Sequence, residues 1–172
     1  MFKGRRLFIN SIPGHFLNDA DFKEFTEKYK EYIKYCVFEI TEQNSISDGE
    51  LGKIKTLTVD EMQGQLAVDD YGSGQSNIQN LLRYTPNIVK IDRFLIKDIY
   101  KDSNKQLFIS NIIEFAKLND MRVVGEGVEN EEELKTVAKY GVYYIQGFYK
   151  ARPNPEPIDT LPKEISEQFD KP

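Results

Sequence analysis

Acidic and amide side chains mark the ends of the β-like segments of this sequence, and together they could form an oxygen-only metal site. The residues with this placement are Asn10, Glu39, Asp69, Asp70 and Glu126. Because the C-terminal ends of parallel strands lie at one edge of an α/β sheet or barrel, these side chains are expected to converge. Several carboxylates cannot all stay ionised at short range without a cation. Oxygen ligands without His or Cys favour a hard ion, Mg²⁺ or Mn²⁺.

A lysine beside these acidic residues adds a second element of phosphate chemistry. One or two hard ions at the strand ends would suit hydrolysis of a phosphodiester, since they activate water and stabilise charge on phosphorus and on the leaving oxygen. Lys90 lies in the apolar segment IVKID, and its ammonium could hold the attacking water or neutralise a phosphate oxygen. A buried lysine is costly without a partner, so we expect it to pair with Asp92 or with the carboxylate cluster.

Helix capping is the alternative explanation for each acidic residue taken singly. A lone Asp at a strand end is more often a helix N-cap than a metal ligand, and Asp92 before RFLIKDI could be such a cap. Glu42 and Glu129 could be surface groups, or groups that support the ligands from outside. Five consecutive strands with Asn, Glu or Asp near their ends are hard to obtain by capping alone, so the set favours a site.

Composition limits the classes of protein to which the chain can belong. Its 172 residues contain 23 Lys and Arg against 28 Asp and Glu, a net charge of −5, with 40% hydrophobic residues. This indicates one globular domain, and the acidic balance disfavours long nucleic acid or an anionic membrane as a partner. One cysteine and one histidine exclude a disulfide framework and a His-rich metal site. No apolar run approaches the length of a membrane span, and the sequence predicts a cytoplasmic protein.

Six short segments rich in Ile, Val, Phe and Tyr predict β-strands. They are residues 7–10, 35–40, 65–70, 88–92, 121–126 and 143–148. Most are nearly continuous apolar runs, which is typical of parallel strands covered on both faces. Because helical stretches separate them, the order is β-α five times and then a sixth strand. Two architectures fit this order, a doubly wound open sheet or a section of a (β/α)₈ barrel.

Apolar residues at helical spacing and capping residues locate the helices between the strands. The predicted helices run from residues 18 and 19 to about 29, from 48 to about 57, from 76 to before Pro86, from 105 to 118, and from Asn130 to Gly141. Three glutamates in the first turn after Asn130 favour the last helix through its dipole. A Pro-rich tail follows, with one short helix predicted near residues 164–169.

Six motifs in a fixed order resemble those of the EAL domain, the cyclic di-GMP-specific phosphodiesterase domain of bacterial signalling proteins. They are LFINSIP, FEITE, AVDDYGSGQSN, IVKID, GEGVEN and YIQGFYKARP. The resemblance covers residues 7–153 and implies a single partial EAL domain over 1–172, with 154–172 as a tail. It also implies a (β/α)₈ TIM-barrel-like fold, here truncated to about six β/α units. The implied activity is Mg²⁺- or Mn²⁺-dependent hydrolysis of cyclic di-GMP to a linear dinucleotide.

The same resemblance implies a role for each candidate site residue. The implied metal ligands are Asn10, Glu39, Asp69, Asp70 and Glu126. The lysine that holds the nucleophilic water falls on Lys90, the glutamate that anchors the loop after the third strand falls on Glu42, and the motif glutamine falls on Gln146. Asp92 and Glu129 follow the lysine and the last glutamate in their motifs, and we expect them to support the ligands.

The E-A-L motif itself, and the arginine that follows it in the family, do not occur in this chain. The expectation is therefore a barrel without its first two β/α units, with weak or no hydrolysis. A non-catalytic EAL-type sensor or interaction module is the alternative. A different Mg²⁺-dependent α/β phosphatase with an open sheet is a third hypothesis. Unpaired strand edges favour association, so we expect a homodimer or closure by rearranged segments.

Overall fold

The fold alternates strands and helices in the order that the sequence predicts. A computed structural model describes residues 5–11, 17–41, 46–58, 62–74, 78–142, 144–149 and 151–154. The strands are β1 (Leu7–Asn10), β2 (Cys36–Thr41), β3 (Gln65–Tyr71), β4 (Ile88–Ile91), β5 (Arg122–Glu126) and β6 (Tyr144–Gln146). The helices are α1 (Asp19–Ile33), α2 (Asp48–Thr58), α3 (Ile78–Tyr84), α4 (Arg93–Ile96), α5 (Ser103–Leu118) and α6 (Glu131–Tyr140), with a 3₁₀ turn at Ile99–Lys101.

The strands form one parallel sheet in the order β1-β2-β3-β4-β5-β6. Each strand pairs with the next along the chain, and every pair is parallel. A doubly wound sheet reverses its strand order at a switch point, and this sheet does not. The architecture is therefore an open half of a TIM-like barrel, and of the two fold classes that the pattern left open the barrel is confirmed.

The two faces of the sheet have different cores. The outer face packs against the helices, where residues such as Ile40, Val68 and Val89 meet Ile54 and Ile113. The inner face carries a smaller apolar layer, made of Val37, Ala67 and Ile88, with Val124 packed against it. Side chains alternate along a strand, so the residues two positions later on each strand face the same way. That second layer is where the charged residues of the site lie.

Capping side chains fix the helix ends. Asn18 begins α1, as the sequence predicts, by accepting a hydrogen bond from the backbone N–H of Asp21. Asp102, which was not predicted as a cap, begins α5 in the same way through Asn104 and Lys105. Helix α6 begins after Asn130 and ends at Gly141. Each cap supplies a partner to backbone groups that the helix itself leaves unpaired.

Some predicted boundaries change, and one connection was missed. Helix α1 continues to Ile33 rather than ending near residue 29, and α5 begins two residues before the predicted start. Between β4 and α5 the sequence offered only a possible helix cap at Asp92, without a bounded helix, whereas the chain forms α4 and the 3₁₀ turn there. Ser76 and the helix predicted at 164–169 lie outside the described residues. None of the described helices is long and apolar enough to span a membrane.

Candidate metal centre

Lys90 lies at the centre of a cluster of carboxylates from three neighbouring strands. Its Nζ is 2.6 Å from Glu39 Oε1, 2.9 Å from Asp69 Oδ1 and 2.8 Å from Glu126 Oε1. The Lys90 side chain is only 5% exposed, and the carboxylates are 7% to 14% exposed. The sequence predicted either Asp92 or the carboxylate cluster as the partner of Lys90, and the structure shows the cluster.

Because side chains alternate between the two faces of a strand, residues at matching positions of these parallel strands lie on one face of the sheet. Glu39, Asp69, Lys90 and Glu126 each follow, by two positions, a member of the inner apolar layer. They therefore form the next layer toward the C-terminal ends of the strands. Asn10 is the register partner of Glu39, and Gln146 is the register partner of Glu126, so both extend this layer to the edge strands, where they are exposed.

A bulge at the end of β3 lets two consecutive aspartates serve the same cluster. Asp70 has a left-handed backbone conformation, with φ of 57°, and its N–H donates to Asp69 Oδ1 at 3.0 Å. The register with β4 shifts between Val68 and Tyr71. In a regular strand Asp69 and Asp70 would point to opposite faces, but here their carboxylate oxygens and one of Glu126 lie within 4.8 Å of one another.

The cluster holds more negative charge than Lys90 neutralises. Burial raises the pKa of Glu126, and this effect together with repulsion from Asp69 outweighs the attraction of Lys90, so that the pKa reaches about 7. Burial and the charges of Asp69 and Asp92 likewise raise the pKa of Asp70. Burial alone would lower the pKa of Lys90, but its hydrogen bonds to the carboxylates raise it above the ordinary value. A further cation would relieve this imbalance.

The donor set fits a hard divalent cation. Asp69, Asp70 and Glu126 each offer a carboxylate oxygen to the same small volume. Glu39 is buried beside them, and Lys90 is the one polar partner of its Oε1 among the described residues. Carboxylate and amide oxygens are the ligands that Mg²⁺, Mn²⁺ and Ca²⁺ accept.

Asp92 caps a helix, as the alternative explanation of this residue predicted. Its carboxylate accepts a hydrogen bond from the Phe94 N–H at 2.7 Å and so begins α4. It is still close enough to Asp70 to raise the pKa of that carboxyl. Glu42, by contrast, lies outside the described residues.

A cavity of about 390 Å³ opens at the C-terminal ends of β5 and β6, and one of its lining residues is Gly127, which directly follows Glu126. Two of the sequence-predicted residues, Glu129 and Gln146, line it together with Arg93, Phe148 and Arg152. Glu129 Oε1 pairs with an Arg93 guanidinium nitrogen at 2.8 Å, and the Arg152 guanidinium lies 5.4 Å from the centre of the Phe148 ring. The cavity therefore offers cationic and aromatic surface next to the carboxylates.

Sequence reasoning missed Arg93, Arg152 and the role of Glu133. Arg152 lies in the motif YIQGFYKARP, but no role was inferred for it, and Arg93 directly follows the motif IVKID. For Glu133 a signal was present, because Asn130 and Glu133 have the spacing of a capping box. From the sequence, this glutamate was expected only to interact with the helix dipole.

Comparison with known proteins agrees with this geometry. A probable cyclic di-GMP phosphodiesterase of Escherichia coli K12, PdeA, is 30% identical over 89% of this chain, and the cyclic di-GMP phosphodiesterase PdeF of the same strain is 31% identical over 83%. This chain spans about a fifth of the length of each: 21% of PdeA and 19% of PdeF.

Solved structures of EAL proteins are also similar to this chain, in both fold and sequence. A standalone versatile EAL protein from Vibrio cholerae O395, in its c-di-GMP bound form, superposes with a TM-score of 0.79 at 28% identity, covering 94% of this chain and 70% of that one. BlrP1 of Klebsiella pneumoniae, in a complex with manganese and cyclic di-GMP, gives 0.77 at 28% identity, covering 86% and 39%. The family model of the EAL domain matches residues 2–153, and with the half-barrel and its strand-end carboxylates this establishes that the chain belongs to the EAL domain family.

Proposed function

We propose that this chain is part of a metal-dependent phosphodiesterase that hydrolyses cyclic di-GMP to a linear dinucleotide. The observation that carries the proposal is the cluster of Glu39, Asp69 and Glu126 around Lys90, at the strand ends where barrel enzymes place their sites. The family membership and the cyclic di-GMP bound to relatives supply the substrate class.

In this proposal the acidic cluster holds one or two divalent cations. The ligands would be Asn10, Glu39, Asp69, Asp70 and Glu126, with Mg²⁺ or Mn²⁺ as the ion. Manganese and calcium are the metals present in complexes of the relative BlrP1. A divalent cation held there would supply Lewis-acid stabilisation of charge on the phosphodiester.

Lys90 has the chemistry to act on the phosphodiester or on the attacking water. Its ammonium carries three N–H donors and is held at the strand ends by carboxylates on three sides. When cations take over the neutralisation of those carboxylates, Lys90 can direct a donor to water or to a phosphate oxygen. We propose that Glu42 anchors the loop that follows β3.

The adjoining cavity is suited to the rest of a cyclic dinucleotide. Arg93 and Arg152 can pair with phosphate oxygens or with the acceptor edge of guanine, and Phe148 offers a face for stacking. Gln146 and Glu129 can hydrogen-bond to a base or a ribose from the same side. This supports a dinucleotide of guanine as the substrate over a simple phosphate ester.

We further propose that hydrolysis by this chain alone is weak. Asn10 lies on an edge strand and is exposed, whereas the carboxylates that it would join are buried. A ligand held on an exposed edge is less well positioned than one in a packed strand. A cyclic di-GMP sensor without turnover is the second candidate, because the same exposed edge weakens catalysis more than it weakens binding.

We propose that the chain forms a homodimer and acts in the cytoplasm. The two edges of the sheet expose Phe8 on β1 and Tyr144 on β6, with 44% and 53% of their surface accessible. Unpaired, apolar strand edges favour pairing with another copy. The cytoplasm is where a phosphodiesterase would meet a second messenger.

The test is a Mn²⁺-dependent hydrolysis assay combined with calorimetric titration of cyclic di-GMP. We expect metal-dependent binding and slow turnover in the wild type, and loss of turnover in Glu39→Ala and Glu126→Gln. Glu114→Gln, on the exposed face of α5, is the matched control and should behave as the wild type. Binding without metal and without turnover would favour the sensor instead. Robust turnover would contradict the expectation of weak activity.

A further inference from the structure

Glu133, in the first turn of α6, is one of the most deeply buried charged residues described. It is 2% exposed, while its neighbour Glu132 is exposed. Its two carboxylate oxygens accept hydrogen bonds from two backbone donors, one in each of two connections. Oε1 accepts from the Asp98 N–H at 2.9 Å, and Oε2 accepts from the Glu129 N–H at 2.8 Å.

These two donors lie in the connections that follow β4 and β5, the strands that carry Lys90 and Glu126. Glu129 lies in the loop that follows β5, three residues after Glu126. Asp98 lies in the turn that directly follows α4. Helix α4 begins after its cap Asp92, and Arg93 is its first residue. Arg93 in turn pairs with Glu129. One buried carboxylate thus ties the loop after Glu126 to the turn that holds the arginine of the cavity.

The chemistry of these contacts requires a carboxylate. Burial of a charge is unfavourable unless hydrogen bonds replace its water, and two backbone donors supply them here. An amide of the same shape accepts through one atom only, because its other atom is a donor. Glutamine at this position would satisfy one N–H and oppose the other.

The turn keeps other anchors if Glu133 is lost, but the loop has fewer. From α5, Lys105 donates to the carbonyl oxygens of Phe94 and Lys97, and Gln106 donates to that of Ile99. At the loop, Val128 is fully buried and bonded to Gln146 and Tyr149, whereas the side-chain partners of Glu129 among the described residues are the Glu133 carboxylate and Arg93. Loss of the Glu133 carboxylate therefore frees the loop end next to the site.

We propose that Glu133 is a positioning residue, which fixes the loop after Glu126 against the turn after Asp92 and thereby sets the metal affinity of the acidic cluster. The proposal about affinity rests on the metal site of the proposed function. The fixing of the loop does not, since both partners of the Glu133 carboxylate are backbone N–H groups of the protein.

The experiment compares Glu133→Gln with the wild type in two measurements. The first is amide hydrogen exchange of peptides covering residues 97–99 and 127–130 in the metal-free protein. The second is Mn²⁺ binding, followed by the electron paramagnetic resonance of free Mn²⁺ at a temperature where all variants are folded. We expect exchange at 127–130 to become about tenfold faster and Mn²⁺ to bind about tenfold more weakly, as when groups supporting metal ligands are removed.

Two control variants separate positioning from general stability. Glu132→Gln makes the same change of charge on the exposed side of the same helical turn. Val137→Ala removes core packing from α6, where Val137 is fully buried, and leaves the hydrogen bonds of Glu133 in place. Both should keep wild-type Mn²⁺ affinity while folded.

Each outcome decides one point. Unchanged exchange at 127–130 in Glu133→Gln overturns the proposal, whatever the metal does. Faster exchange with unchanged Mn²⁺ affinity, or equal weakening by Val137→Ala, overturns the link to the metal. If the wild type binds no Mn²⁺, the proposed metal site fails, and the exchange data alone then decide whether Glu133 fixes the loop.

Discussion

The ammonium of Lys90 is surrounded by three carboxylates from other strands. Glu39, Asp69 and Glu126 contact it directly, and all are largely buried. Removing one partner of a buried ion pair leaves uncompensated charge, which typically costs several kcal/mol. Lys90→Met should therefore lower the free energy of unfolding of the metal-free protein by about 3 kcal/mol, measured by urea unfolding in the presence of a chelator.

Lys101→Met is the matched control for this substitution. Lys101 pairs with Asp98 at 3.0 Å, but both side chains are about half exposed, and such surface pairs contribute little. We expect its unfolding free energy to stay within about 0.5 kcal/mol of the wild type. Equal stability of Lys90→Met and the wild type would show that the buried cluster is not held together by Lys90.

For individual residues, the sequence predicted the kind of partner a side chain would need better than it predicted backbone conformations. It indicated that Lys90 would need the carboxylate cluster or Asp92 as a partner, because a buried lysine must be paired. It could not predict the left-handed conformation of Asp70, since that depends on the bulge between β3 and β4. Of the two partners of Glu133, Asp98 was equally beyond it, because Asp98 is 35 residues away.

Among the elements, the strands were predictable and the short helical connection was not. Each strand lies within two residues of its predicted bounds, because buried β-branched runs bounded by polar residues have few alternatives. Helix α4 has only four residues, which is too short to be stable on local propensity. Its backbone is held by side chains from α5 and α6, Lys105 and Glu133, which a local pattern does not contain.

The contact between β6 and the loop after β5 depends on a glycine. A Cβ atom at Gly147 would lie 2.2 Å from the carbonyl oxygen of Val128 and 2.4 Å from its nitrogen. The opposing atoms are backbone, so they cannot move aside as a flexible side chain would. Gly147→Ala should lower the free energy of unfolding by about 2 kcal/mol and separate β6 from the loop, which urea unfolding and hydrogen exchange at residues 127–130 would detect.

For Gly52→Ala we expect the opposite effect, an increase in the free energy of unfolding. Gly52 lies within α2, and nothing within 4 Å obstructs a Cβ there. Alanine is the better helix former, so stability should rise by about 0.5 to 1 kcal/mol. If both substitutions changed stability alike, the close approach at Gly147 would not be what limits that position.

For the whole molecule, strand order is the property that local patterns left undecided. Alternating strands and helices fit both a doubly wound sheet and a barrel, because both use the same right-handed crossovers. Only long-range pairing distinguishes them, and the sequential order β1 to β6 does so here. The resemblance to the EAL domain pointed to the barrel before the pairing was known.

The exposed edge of β1 leads to a prediction about association. Phe8 lies on the same face of β1 as Asn10, and 44% of its surface is exposed. If copies of the chain associate through this edge, Phe8→Lys should weaken dimerisation about tenfold or more, because charged side chains block edge pairing. Sedimentation velocity at micromolar concentration is the measurement, with Tyr29→Lys on the exposed face of α1 as the control. A monomeric wild type would contradict the prediction.

The ion pairs of Lys90 also have a consequence for how folding and metal loading are related. In many small metal-binding domains the apo chain is unfolded, because its ligands repel one another until the metal arrives. Here the chain carries its own counter-ion, so we expect the carboxylates to be held together both with and without metal. Metal binding then means that the carboxylates are shared between the metal and Lys90. The affinity for metal is reduced by the ion pairs that Lys90 gives up, and we expect the protein to stay folded when the metal is removed.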